Sequence, residues 1–105
     1  MDNHMFEWDP EKNALNQKKH GIPFEIAIKV FQDPYLIDWY DEEHSGINEY
    51  GVWEDRYIAI GYIGDIIYVV YTVRDRAGEE ITRIVSARPA VGIEIEDYLA
   101  KRGGA

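Results

Sequence analysis

The chain has 105 residues, 46% of them hydrophobic and none cysteine. That length fills one core and one domain over residues 1–105, and the absence of cysteine excludes disulfides and cysteine–zinc sites. The formal net charge of −9 disfavours a polyanionic partner, because Lys and Arg contacts to phosphate supply most nucleic-acid affinity. The charge is unevenly spread, however. Residues 1–55 hold 4 Lys+Arg against 13 Asp+Glu, residues 56–88 hold 5 arginines against 4 acids, and segment 38–55 has seven acids and no base.

In chain order, a short strand is predicted over His4–Trp8. Asp9 and Pro10 then open a helix over about 10–20, with Asp9 as N-cap and Pro10 in the first turn, where its missing donor costs nothing. Gly21 ends it, and Lys18, Lys19 and His20 face the negative end of its dipole. Pro23 starts a second helix, in which Phe24, Ala27, Ile28 and Phe31 share one buried face. Asp33-Pro34 stops it, completing an N-terminal helical hairpin. A strand over Tyr35–Tyr40 leads to a loop over 41–51. Two Ile/Val/Tyr-rich strands, Arg56–Ile63 and Ile66–Arg74, flank the turn Gly64-Asp65, and a third, Glu80–Arg88, follows Asp75–Glu79. Pro89 is read as the start of a last helix carrying Val91, Ile95, Tyr98 and Leu99 on one face. The order argues an α+β fold with helices packed on an antiparallel meander.

Strict alternation places Arg56 with Ile58 and Ile60, ends the row Ile66–Tyr68–Val70–Thr72 with Arg74, and ends the row Glu80–Thr82–Ile84–Ser86 with Arg88. Arg83 falls on the opposite side from Arg88. The Gly64-Asp65 hairpin brings Arg56 towards Arg74, whereas register alone does not bring Arg88 to Arg74. Guanidinium forks suit phosphate, and His20 has a ring that titrates near neutrality. Plainer roles compete: strand arginines commonly pair with carboxylates, for which Glu54, Asp55, Glu79 and Glu80 are close in sequence, and His20-Gly21 also serves as a helix stop. Asp41-Glu-Glu-His44 has no recognised ligand spacing and reads as solvated acids. No metal and no cofactor is expected.

Several segments together resemble the BrnT family of toxins: Phe6-Glu-Trp-Asp-Pro10 with Lys12 and Asn16, Lys19-His-Gly21, Phe24-Glu25 with Ala27, Phe31 with Asp33-Pro34, Glu54-x-Arg56, Ile60-Gly61, Tyr71-Thr-Val-Arg74, and Arg83-Ile-Val-Ser-Ala-Arg-Pro-Ala90 with Glu94 and Tyr98. The resemblance implies a RelE-like fold and the toxin half of a type II toxin–antitoxin pair. It also implies metal-independent cleavage of RNA, in which the ribose 2′-OH attacks the adjacent phosphate. On that implication Arg56, Arg74 and Arg88 bind phosphate while Lys19 and His20 assist proton transfer. The implied partner is a BrnA-like ribbon-helix-helix antitoxin, with DNA reached only through that complex. One departure stands out: Pro89–Tyr98 has three acids and no base where BrnT-like chains continue with a basic helix. A catalytically weak binding module acting in operon autoregulation is therefore the alternative. With no apolar run of spanning length and no positive leader at the first residues, a cytoplasmic protein without membrane contact is expected.

Overall fold

A computed structural model describes residues 5–103. Strand β1 (Met5–Glu7) precedes helix α1 (Pro10–His20) and helix α2 (Phe24–Ala27), which runs into a 3₁₀ turn over Ile28–Gln32. Then follow β2 (Ile37–Tyr40), β3 (Gly46–Ile47), β4 (Trp53–Glu54), β5 (Arg56–Tyr62), β6 (Ile66–Arg76), β7 (Glu79–Pro89) and α3 (Ile93–Lys101). The architecture is α+β. Five strands form one sheet in the order β1-β7-β6-β5-β2, and β3 with β4 form a separate two-stranded piece.

The strands β2, β5, β6 and β7 pair antiparallel as expected, but β1 lies parallel to β7, so the sheet is mixed. A three-residue strand is too short to announce its partner in sequence. His4, the first residue of the expected strand, lies outside the described residues. The chain over 41–51, expected as a loop, contributes β3 to the small β3–β4 hairpin. At the other end, Pro89 closes β7 opposite Ile67 instead of opening a helix, and the Ala90 amide still donates to Ile66 O. Helix α3 begins four residues later. Its first turn is stabilised by Glu94, whose carboxylate accepts from the Val91 amide at 2.9 Å.

Helix α1 has the punctuation read from sequence. Asp9 accepts from the Glu11 amide at 2.9 Å, and Gly21 adopts φ 75°, closing the helix through a bond to Gln17 O. Asn13 then accepts from the Phe24 amide at 2.8 Å and so caps α2. The second helix tightens to 3₁₀ after one turn, because it crosses β5 at close range. A Cβ built on Gly61 would stand 2.8 Å from Val30 Cβ.

One sheet face, carrying Ala59, Ile67, Val69, Ile84 and Ala87, buries Phe24, Ala27 and Val30 of the helical layer. The opposite face, with Ile58 and Ile60, receives Ala90 and Tyr98 at the α3 end. Tyr98 donates to Asp33, which also accepts from the Tyr35 and Tyr62 amides, so α3, the 3₁₀ turn and β5 meet on one carboxylate. Burial and this hydrogen bond push Tyr98 up to about 12.

Along β7, β1 pairs only with Ile81–Arg83 and leaves the rest of that edge open. Asn16 of α1 fills the gap. Its amide donates to Ala87 O at 2.8 Å and to Ile22 O at 3.0 Å, while its carbonyl accepts from the Ala87 amide at 3.1 Å. A side chain thus stands in for a strand rung. Among the described residues no helix is long and apolar enough to cross a membrane.

Candidate active site

The arginines are arranged by a register break. Val70 pairs with Ser86 but Tyr71 pairs with Ile84, so Val85 bulges out of the ladder. A bulge of one residue reverses the side-chain parity beyond it. Strict alternation put Arg83 opposite Arg88; the bulge puts both on one face. Arg56, Thr72 and Arg83 then stand in one cross-strand row, and Arg74 follows in the next.

The three arginines line a recess that also takes in Lys12 of α1 and is walled on one side by the β3–β4 hairpin. Its counterion is Glu54. One carboxylate oxygen lies 3.2 Å from both Arg56 Nε and Arg56 Nη2, and the other lies 3.4 Å from Arg74 Nη2. Arg83 is held by Glu7 of β1 at 2.8 Å, and Glu7 also meets Arg76 at 2.9 Å. Burial opposes ionisation of Glu7, but the Arg83 and Arg76 guanidiniums outweigh it and hold the carboxyl below its ordinary value. The Thr72 hydroxyl lies buried in the arginine row without a hydrogen-bond partner.

Arg88 stands elsewhere. It faces Tyr68, four residues along β6 from Thr72, which is about 13 Å of strand. Both its terminal nitrogens bind Glu94, at 2.9 and 2.8 Å, and its guanidinium stacks 3.8 Å from the Tyr68 ring centroid. The Glu94 hydrogen bonds raise Arg88 above its ordinary value, and Arg88 lowers Glu94. This fork joins β7 to α3, while Arg56, Arg74 and Arg83 gather without it.

Lys19 and His20 occupy the last turn of α1 beside Val85 and Ser86, in a shallow recess that shares Lys12 and Val85 with the arginine recess. They lie about 10–12 Å along the helix from Lys12. The structure therefore sets them in a neighbouring recess and not beside the arginines. Sequence reading passed over Lys12 and Arg83. Lys12 was visible through its spacing, since 12, 16, 19 and 20 share one helical face. Arg83 was hidden by the bulge.

The chain thus presents an α+β sheet on which two arginines share the Glu54 carboxylate, with Arg83 and Lys12 lining the same recess. The family described as ribonuclease toxin, BrnT, of type II toxin–antitoxin system matches residues 8–94. The chain belongs to the BrnT family. No curated protein matches it. Membership in a type II toxin family implies an RNA substrate and an antitoxin partner.

Proposed function

We propose that the chain is a cytoplasmic, RelE-like endoribonuclease that cuts single-stranded RNA without a metal, in the recess formed by Arg56, Arg74, Arg83 and Lys12. The observation that carries this reading is the convergence of Arg56 and Arg74 on Glu54. In-line attack by a 2′-OH needs a base at the hydroxyl and fixed positive charge on the phosphorane. Glu54 is the carboxylate within the cationic cluster, so it accepts the 2′-OH proton while Arg56 and Arg74 turn to the non-bridging oxygens. Lys12 balances charge on the departing 5′-oxygen, which takes its proton from water. Lys19 and His20, in the neighbouring recess, hold the next phosphate, with His20 available for proton transfer there. Arg88, through Glu94 and Tyr68, fixes the sheet face at its other end. The products are a 2′,3′-cyclic phosphate and a 5′-hydroxyl.

A second reading is favoured by one observation: Arg56, Arg74, Arg83 and Arg88 each already face a carboxylate. On it, the chain is a weak catalyst whose role is to bind a BrnA-like antitoxin that contacts operator DNA. Incubating the purified chain with single-stranded RNA in excess chelator separates the two. Cleavage is expected, blocked by a single 2′-deoxy substitution at the cut. Arg56→Ala with Arg74→Ala should slow it by about 10²-fold or more. An unchanged rate in that folded double variant rules out the arginine assignment, and no cleavage by the unaltered chain leaves the binding role.

A further inference from the structure

The β3–β4 hairpin leaves large apolar side chains in solvent. Tyr50 is 81% exposed, Ile47 67%, Val52 59% and Trp53 58%. A two-stranded piece cannot bury such a surface alone. The turn backbone and the Trp53 ring are nonetheless held in place. Asn48 accepts from the Tyr50 and Val52 amides, fixing the turn. Asp55 accepts from both the Trp53 indole and the Tyr40 hydroxyl at 2.8 Å, which joins the hairpin to the end of β2. Exposed apolar surface on an ordered frame is the signature of an interface.

Charge selects the occupant. The patch lies within segment 38–55, with its seven acids and no base. RNA stacking on Tyr50 or Trp53 would carry its phosphates past Glu42, Glu43 and Glu49. A second copy of the chain would bring another −9. A segment with lysines or arginines flanking an apolar stripe satisfies both features at once.

We propose that this hairpin face is the docking surface for the antitoxin, which binds it through a basic, amphipathic segment. The inference rests on the toxin reading above. Because the hairpin also walls the arginine recess, a partner seated there screens the recess from RNA.

The test uses the full chain and the protein encoded beside it in the same operon, with affinity and rates measured in solution. Tyr50→Ala with Val52→Ser is expected to weaken binding by about 10²-fold, mostly through faster dissociation. Glu42→Lys with Glu43→Lys, a change confined to exposed side chains outside the recess, should slow association and flatten its salt dependence. RNA cleavage by the Glu42/Glu43 variant, and the near-ultraviolet circular dichroism of both variants, should match the unaltered chain. Unchanged affinity in both variants overturns the docking surface alone. Lost cleavage with intact antitoxin binding overturns it in favour of an RNA surface. No binding by the unaltered chain brings down the toxin reading with it.

Discussion

Glu54 is the residue on which the site turns. A carboxylate among guanidiniums is both a counterion and a base, and which role dominates depends on whether phosphate displaces it from Arg56 and Arg74. The sequence showed that Glu54 was near enough to pair with an arginine. It did not show that one carboxylate serves two strands, because that requires the β5–β6 register. Two other carboxyls, Glu7 and Glu94, titrate below their ordinary value of 4.5 in the folded chain because of their arginine partners. The folded state therefore binds fewer protons than the unfolded chain on the acid side. Their stabilisation is complete above that ordinary value and is lost as pH falls through the lowered ones. Thermal melts followed by circular dichroism into the acid range should show this loss, and Glu7→Gln with Glu94→Gln should flatten it.

At the scale of elements, contacts between layers decide what local pattern leaves open. Helix α1 was legible from Asp9 to Gly21 because its start and stop are local chemistry. The second helix was legible only as far as its buried face, since its tightening to 3₁₀ comes from the approach of Val30 to Gly61. Gly61→Ala forces that contact apart and should cost about 1–3 kcal/mol in chemical denaturation. The β3–β4 hairpin escaped notice because its strands have two residues each and its composition reads as loop. The bulge at Val85 escaped because alternation continues smoothly through Ile84-Val85-Ser86 in sequence, and only pairing with β6 exposes the skipped residue. Asn16 is the complementary case: a polar residue amid a helix, with no local reason to be buried. Asn16→Ala orphans both backbone groups of Ala87 and should lower stability by about 2–4 kcal/mol, measured by the same unfolding experiment.

For the whole molecule, the charge of −9 and the arginine recess are reconciled by segregation. Seven acids crowd segment 38–55, while Arg56, Arg74, Arg83 and Lys12 line one recess and Lys12, Lys19 and His20 an adjoining one. Such a protein holds RNA with few phosphate contacts. With Arg56, Arg74, Lys12 and Lys19 engaged, the logarithm of RNA affinity should fall against the logarithm of salt with a slope of about −3. A steep slope typical of basic nucleases would contradict that count. The open edge of β7 has one further consequence. A bare strand edge is a template on which another chain can extend the sheet. Asn16 occupies both the donor and the acceptor of Ala87, and so removes a rung from that template. Along that stretch the fold is guarded against growing into an aggregate of its own copies while it waits for its antitoxin.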